Sequence, residues 1–335
     1  GFIEELRLPT PNCCREIRAH GPGHQVSRAI NFVERSIRKE KPQIVLVHGD
    51  TNTTLGAALA ANKHNVPVGH VEAGLRSFDL RMPEEHNRRL VDHISTHLYA
   101  PTQDAAQNLR RESVWGDVIV TGNTVIDAVL QYLPMAVEKS HILDTAKFEE
   151  YAFATFHRAE NVDNPRVLHN LTRVLMNSPL PVVFPVHPRT NGRLLRCGLL
   201  QRLKGSKNVQ LLPPIGYFDT LVLLKNCRLV LTDSGGLIEE ATAPPISKRV
   251  VVARMSTERP EAAKAGFSWI AGTRAGEILA AIDEALFDGH ELPLVSPYGT
   301  GNAAETIVTR ILRMLSFPGT SVQRYLPRCL GLKNE

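Results

Sequence analysis

Acidic side chains follow two apolar runs in the first half of the chain. The run "PQIVLVHGD" ends at Asp50, the run "VPVGHVEAG" carries Glu72 near its end, and Glu84 and Glu85 begin a predicted helix. Carboxylates gathered at one edge of a sheet repel one another, which favours the protonated form of some of them, and general acid–base catalysis needs such groups. The structural alternative is that Asp50 caps a helix and that Glu84 and Glu85 are favourable charges in a first helical turn.

A run of small residues in the second half predicts an anion site. In "LVLTDSGGLIEEA" a strand leads through Ser234, Gly235 and Gly236 into a helix. Backbone N–H groups at a helix N-terminus bind phosphate well. Glu240 lies six residues after Ser234, where a carboxylate can accept the two hydroxyls of a ribose. The alternative is an ordinary helix cap at Ser234.

Three further motifs in the second half place cationic or titratable side chains at strand ends. His157 in "TFHRAEN" can meet a diphosphate or act as an acid, and His187 in "HPR" is expected near the same rim. Arg259 in "STERPE" precedes a proline, and its position suits bidentate contact with a phosphate. The alternatives are a structural loop histidine for His157, and for Arg259 a surface ion pair with Glu258 or Glu261.

The elements that position these residues alternate between strand and helix. Apolar runs predict ten short strands, which begin near residues 42, 66, 96, 116, 151, 180, 208, 229, 248 and 268. Such alternation is typical of parallel, doubly wound α/β sheets. A mostly helical link at 127–148 interrupts the series. We therefore expect two Rossmann-like domains, at 1–126 and 127–315, facing a cleft, and a peripheral tail at 316–335.

Composition excludes several other classes of protein. The 335 residues carry a formal charge of +5 without a long Lys/Arg block, so nucleic acid is not expected as a partner. Five cysteines without a CxxC pair argue against disulfides and a zinc site and favour a reducing, cytoplasmic location. No apolar run reaches membrane-spanning length, and no signal peptide is recognised. Neither GxGxxG nor GxxxxGKS occurs, which disfavours dinucleotide binding and ATP hydrolysis.

Several of these motifs together resemble one enzyme family. The chain is similar to the non-hydrolysing UDP-N-acetylglucosamine 2-epimerases in eight runs: "HGDTNTTLGAALAA", "GHVEAGLRSFDLRMPEEHNRRLVDHIS", "APT", "VTGNTVIDA", "TFHRAENVDNP", "PVHPRT", "LTDSGGLIEEA" and "TERPEAAKAG". The resemblance covers about residues 2 to 315, and the runs come in the family's order.

The resemblance implies a GT-B fold, a homodimer, and interconversion of UDP-GlcNAc and UDP-ManNAc without cofactor or metal. UDP would leave by anti-elimination and add back to a 2-acetamidoglucal. The family pattern makes Asp50, Glu72 and Glu84 the acid–base carboxylates, without assigning a proton face to each, and places His157 at the diphosphate or leaving group. UDP binding is assigned to residues of the second half: Ser234, Gly235, Gly236, Glu240, Arg259 and His187.

The chain also departs from the family pattern. The family opens with a strand and a "GTRPE"-like loop, whereas this chain opens with "GFIEELRLPTPN". We therefore expect a first domain that lacks its N-terminal βαβ portion, on the order of 30–45 residues, with little activity in the chain as it stands. "HPRT" also occurs in epimerases of diacetamido-sugars. A diacetamido-sugar epimerase, a hydrolysing epimerase and a non-catalytic UDP-sugar-binding protein remain alternatives.

Overall fold

The computed structural model describes residues 2–17 and 20–316. This part of the chain divides into two compact units, each built from more than one stretch. Unit 1 comprises residues 2–16, 75–85 and 125–301, and unit 2 comprises residues 17, 20–74, 86–124 and 302–316. The sequence predicts contiguous domains instead, and the limits at 126 and 315 stay a prediction. The predicted tail lies outside the described residues, except for Ser316.

Helices and strands alternate along the described chain. The helices are α1 (Phe2–Glu5), α2 (Pro22–Glu40), α3 (Asn52–Lys63), α4 (Pro83–Ile94), α5 (Gln103–Arg111), α6 (Thr124–Lys139), α7 (Ala159–Val162), α8 (Pro165–Asn177), α9 (Pro188–Arg196), α10 (Leu200–Lys204), α11 (Tyr217–Asn226), α12 (Gly235–Thr242), α13 (Pro260–Lys264), α14 (Ala275–Phe287) and α15 (Ala303–Ser316), with a 3₁₀ turn at Ile142–Thr145. The strands are β1 (Val45–His48), β2 (Val68–Val71), β3 (His97–Ala100), β4 (Asp117–Val120), β5 (Ala152–Thr155), β6 (Val182–Pro185), β7 (Val209–Leu212), β8 (Leu229–Thr232), β9 (Val250–Val252) and β10 (Ser268–Ile270).

Unit 2 contains a parallel sheet in the order β1-β2-β3-β4. The register pairs His48 with Val71, so β1 and β2 end side by side at one edge. Helices α2, α3 and α4 supply apolar side chains to the core beside these strands. The residues that directly follow β1 and β2 therefore emerge close together.

Unit 1 contains a parallel sheet in the order β10-β9-β8-β5-β6-β7. The chain passes outward through β5, β6 and β7, then returns to pair β8 with β5 and continues through β9 and β10 in the other direction. The strand order thus reverses between β5 and β8. Sheets of this kind bind ligands beyond the carboxyl ends of the strands at such a reversal. His157 follows β5 and Ser234 follows β8, so the two lie on either side of it.

Helices cover both faces of the unit 1 sheet. Phe153 packs with apolar residues of α6, α11 and α12, whereas Ala152 and Ala154 of the same strand pack with α8 and α14. Successive side chains of a strand point to opposite faces, so a strand covered on both faces must be apolar throughout. This is why the strands of the sequence read as continuous apolar runs.

Each of the ten predicted strands is present, whereas the sequence analysis missed several helices, among them α2 and α11. Helix α2 has a recognisable pattern: Val26, Ile30, Val33 and Ile37 recur every three or four residues and pack in the unit 2 core. Within residues 2–17 and 20–316, no helix combines the length and apolar character needed to cross a membrane.

Candidate functional site

Asp50 and Glu72 are brought together at one edge of the unit 2 sheet. Glu72 directly follows β2, and Asp50 follows β1 after a single glycine, Gly49. The two loops approach closely, because a Cβ atom at Gly49 would lie 3.5 Å from Glu72 Oε2. The structure thus gathers two carboxylates where parallel strands end, as the sequence predicts.

Glu72 has an unusual backbone conformation. Its φ of 69° lies in the left-handed region, which non-glycine residues rarely adopt. Such conformations cost on the order of 1–3 kcal/mol and cluster at functional sites. The Glu72 carboxylate is held from two sides: Asn123 donates to Oε1 across 3.1 Å, and His48 Nε2 lies 3.7 Å from the same oxygen.

Asp50 is oriented by helix α4. The Arg88 guanidinium donates to Asp50 Oδ2 across 2.7 Å, and the Asn87 amide donates to the Asp50 carbonyl across 2.9 Å. Asp50 is not the cap of the following helix, because Thr51 holds that position and accepts from the Thr54 N–H. The capping alternative for Asp50 is therefore not what the structure shows.

Glu84 and Glu85 begin α4 as predicted, but they differ in surroundings. Glu85 is fully buried and accepts from the Ser77 N–H and hydroxyl at 2.9 and 3.0 Å. Glu84 is partly exposed, and its carboxylate has no hydrogen-bond or ion-pair partner among the described residues. Glu84 belongs to unit 1 and the other two candidate carboxylates to unit 2, so its place beside them stays a prediction.

His157 and His187 lie together at the carboxyl edge of the unit 1 sheet, with ring centroids 5.6 Å apart. The backbone N–H of His157 donates to the Asp233 carboxylate across 3.0 Å. Burial lowers the pKa of His157; Asp233 opposes this shift, while Arg158 adds to it. The imidazole is therefore mainly neutral near pH 7 and can donate and accept one hydrogen bond each.

The predicted anion site occupies the start of α12. Ser234 is the residue before the helix, and its side chain makes no capping hydrogen bond. A Cβ at Gly235 would lie 2.7 Å from Glu258 Oε1 and 3.1 Å from Arg259 Cζ, so any other residue would force these side chains to shift. A Cβ at Gly236 would meet nothing within 4 Å. The backbone at Gly235 therefore lies directly against the Arg259 side chain.

Arg259 is buried rather than on the surface. Its guanidinium pairs with Glu258 at 3.0 Å and with Glu239 at 3.2 Å. Glu258 also accepts from Arg158 at 3.0 Å and from Arg254 at 2.8 Å. Three guanidiniums thus converge on one buried carboxylate, and the sequence analysis anticipated only one of them.

Glu240 lies on α12, where Tyr217 is its hydrogen-bond partner. Burial raises the pKa of Glu240 to about 7, and the tyrosine hydrogen bond partly opposes this shift. The carboxyl group therefore changes charge near neutral pH. This bears on its predicted role, since only the ionised form is an acceptor at both oxygens, one for each hydroxyl of a ribose.

Three buried polar residues were missed by the sequence analysis. Asp233 accepts from the backbone N–H groups of His157 and Arg158, and His70 pairs with Asp92 in unit 2. Asp233 directly follows an apolar strand, the same signal that identified Asp50, whereas nothing in the sequence marks the other pair. Among the described residues, no group of three or more His, Cys, Asp or Glu side chains is arranged to hold a metal ion.

The family assignment rests on the match along the chain. The family model of UDP-N-acetylglucosamine 2-epimerase matches residues 1–312. The chain belongs to this family, whose named members are isomerases, and the predicted family and enzyme class are confirmed.

Two curated relatives and one solved structure illustrate the similarity. The UDP-N-acetylglucosamine 2-epimerase of Methanococcus maripaludis is 40% identical over 92% of this chain and 85% of its own length. A UDP-2,3-diacetamido-2,3-dideoxy-D-glucuronate 2-epimerase of Pseudomonas aeruginosa is 36% identical over 93% of this chain and 87% of its own. The crystal structure of the Methanocaldococcus jannaschii UDP-GlcNAc 2-epimerase in complex with UDP-GlcNAc and UDP is 39% identical, with a TM-score of 0.85 over 93% of this chain and 86% of that one. The predicted α/β class, with two Rossmann-like domains of the GT-B type, is confirmed.

Proposed function

We propose that the protein interconverts UDP-GlcNAc and UDP-ManNAc by anti-elimination of UDP and re-addition through 2-acetamidoglucal. The observation that carries the proposal is the pair Asp50 and Glu72, held at adjoining strand ends with Glu72 in a strained conformation. The match to a relative crystallised with UDP-GlcNAc and UDP supports the choice of substrate.

The proposed chemistry balances within the substrate. A carboxylate removes the proton at C2, the C1–O bond breaks, and UDP leaves with its electron pair as a C1=C2 double bond forms. A solvent-derived proton is then delivered to the other face of C2 by another of the acid–base groups, and UDP adds back at C1. The C2 proton is not activated by a neighbouring carbonyl, so loss of the UDP anion must assist its removal. Asp50, Glu72 and Glu84 are the proposed acid–base groups.

The groups around the β5/β8 reversal suit the departing diphosphate. We assign the phosphates to Ser234, Gly235, Gly236 and Arg259, since N–H groups at a helix start and a fixed guanidinium stabilise developing negative charge. His157 is a neutral donor for the leaving oxygen, with His187 beside it. Glu240 accepts from the ribose hydroxyls.

Product analysis tests this function against the alternatives. The full-length protein is incubated with UDP-GlcNAc, and the products are identified by NMR. UDP-ManNAc in equilibrium with UDP-GlcNAc is the expected result. Free ManNAc with UDP would indicate a hydrolysing enzyme, turnover of only a diacetamido-sugar nucleotide would indicate that class, and UDP binding without turnover would indicate a non-catalytic protein.

We also propose a cytoplasmic homodimer. The cysteines Cys13, Cys14, Cys197 and Cys227 are free thiols, which suits a reducing compartment. The dimer follows from the family resemblance alone. Light scattering coupled to size-exclusion chromatography measures it directly, and a monomeric mass at micromolar concentration would rule it out.

A further inference from the structure

A buried histidine–aspartate pair lies beneath the two carboxylate loops of unit 2. His70 on β2 and Asp92 on α4 have fully buried side chains, and His70 Nδ1 lies 2.7 Å from Asp92 Oδ1. Neither residue has a role in the function proposed above. Burying an ionisable pair costs desolvation energy, and in some proteins such pairs are retained because they fix one conformation.

The His70 imidazole has a second hydrogen-bond partner, which bears on whether both ring nitrogens carry a hydrogen. His70 Nε2 lies 2.9 Å from the Gly49 carbonyl oxygen, and a carbonyl can only accept. The carboxylate at Nδ1 is also an acceptor when ionised, and it accepts a second hydrogen bond, from the Gly74 N–H at 3.2 Å. A short N–O distance and an ionised carboxylate with two donors are typical of a charge-assisted bond. Both ring nitrogens thus face acceptors, which is the arrangement that an imidazolium satisfies.

The pair joins the two loops that carry the candidate carboxylates. Gly49 immediately precedes Asp50, and Gly74 follows Glu72 by two residues. All three of Gly49, Glu72 and Gly74 have positive φ, at 70°, 69° and 83°. The conformation is unstrained for the two glycines but costly for Glu72, and it persists only where the surrounding structure holds it. The His70–Asp92 pair supplies one hydrogen bond to each loop.

We infer that His70 and Asp92 are positioning residues that fix Asp50 and Glu72 relative to each other. The imidazolium holds the first loop through the Gly49 carbonyl, and the carboxylate holds the second through the Gly74 amide. The catalytic consequence rests on the proposed function. The protonation state and the tie between the loops stand without it.

The protonation state is tested by NMR on full-length protein with isotope-labelled histidine. One histidine should show hydrogens on both ring nitrogens, protected from exchange with water, and Gly74 should have a protected amide. The histidine signal should vanish in His70→Gln. A single ring N–H on His70 would overturn the inference, whether or not the protein is an epimerase.

The positioning role is tested with Asp92→Ala, which removes both acceptor oxygens and so the hydrogen bonds from His70 and from the Gly74 N–H. Displaced catalytic groups lower turnover by about 10- to 100-fold, so kcat should fall by this factor while KM for UDP-GlcNAc and Kd for UDP change little. Exchange of the Gly74 amide should accelerate.

The matched control is His64→Gln. His64 also pairs with a carboxylate in unit 2, Glu34 at 3.3 Å, but it joins α3 to α2 rather than the two loops. Its loss should leave kcat unchanged. Wild-type kcat in folded Asp92→Ala, or an equal loss of kcat in His64→Gln, would contradict the positioning role. An inactive wild-type protein with the doubly protonated His70 would instead refute the proposed function alone.

Discussion

The Arg88 guanidinium donates to Asp50 Oδ2 across 2.7 Å, and the arginine is buried while the aspartate is partly exposed. Arg88 lies on α4 and is therefore held rigidly. A fixed arginine that reaches a carboxylate at the edge of a sheet determines where that carboxylate points. Asp50 is thus oriented by a different element from the strand that carries it.

Replacing Arg88 should impair catalysis more than substrate binding. In Arg88→Met the Asp50 carboxylate loses its orientation, and kcat for epimerisation should fall about 10- to 100-fold with a smaller change in KM. The control is Arg89→Met, at the next arginine on α4, which lies 3.8 Å from Glu112. Steady-state kinetics measure both variants, and equal rates in the two would show that Asp50 needs no such support.

Adding one methyl group at Gly235 should destabilise the protein. The new Cβ would lie 2.7 Å from a Glu258 oxygen that is itself fixed by buried arginines. Overpacking of this kind costs about 1–3 kcal/mol. Gly236→Ala is the control for stability, because its Cβ meets nothing and alanine favours a helix by up to about 1 kcal/mol. Urea unfolding compares the variants, and equal free energies of unfolding would be inconsistent with this packing.

Asp233→Ala should destabilise the protein far more than Asp163→Ala. Asp233 is fully buried, and its loss leaves the His157 and Arg158 N–H groups without an acceptor, at about 1–3 kcal/mol for each group. Asp163 pairs with Arg189 and Arg193 but is partly exposed, so Asp163→Ala should cost at most about 1 kcal/mol. Chemical denaturation measures both, and the reverse order would contradict the assigned role of Asp233.

Uridine binding should depend on pH through Glu240. Because burial raises the pKa of Glu240 to about 7, its carboxyl group is ionised and able to bind above about pH 7. This ionised form is lost as the pH falls through about 7. Affinity should then decrease by at most about tenfold for each pH unit below about 7. Uridine carries no phosphate, so no titration of the ligand intervenes. Calorimetry of wild type and Glu240→Gln is the measurement, and a wild-type profile as flat as the variant's would exclude the ribose assignment.

The sequence predicted the strands well because they are short, mainly apolar runs, and β5 is apolar on both faces, as Phe153 and Ala154 illustrate. It also predicted that Asp50 and Glu72 share an edge, since both follow parallel strands. It did not predict the left-handed conformation of Glu72, which depends on tertiary contacts rather than on residue type.

Long-range polar contacts explain what the sequence could not predict. The alternative for Arg259 was an ion pair with Glu258 or Glu261. It does pair with Glu258, but its second partner is Glu239, which is 20 positions away. Likewise, Arg88 is 38 positions from Asp50. Such pairs depend on how helices are placed against a sheet, and no local pattern in the sequence records that placement.

The most direct test of the proposed function is hydrogen exchange at C2 of the substrate. Full-length protein is incubated with UDP-GlcNAc in deuterated water, and NMR follows C2 of the sugar in both UDP-GlcNAc and UDP-ManNAc. Deuterium should enter C2 as UDP-ManNAc forms, and Glu72→Gln should abolish this exchange while UDP still binds. Formation of UDP-ManNAc without deuterium at C2, or no exchange from folded, UDP-binding wild-type protein, would contradict the account.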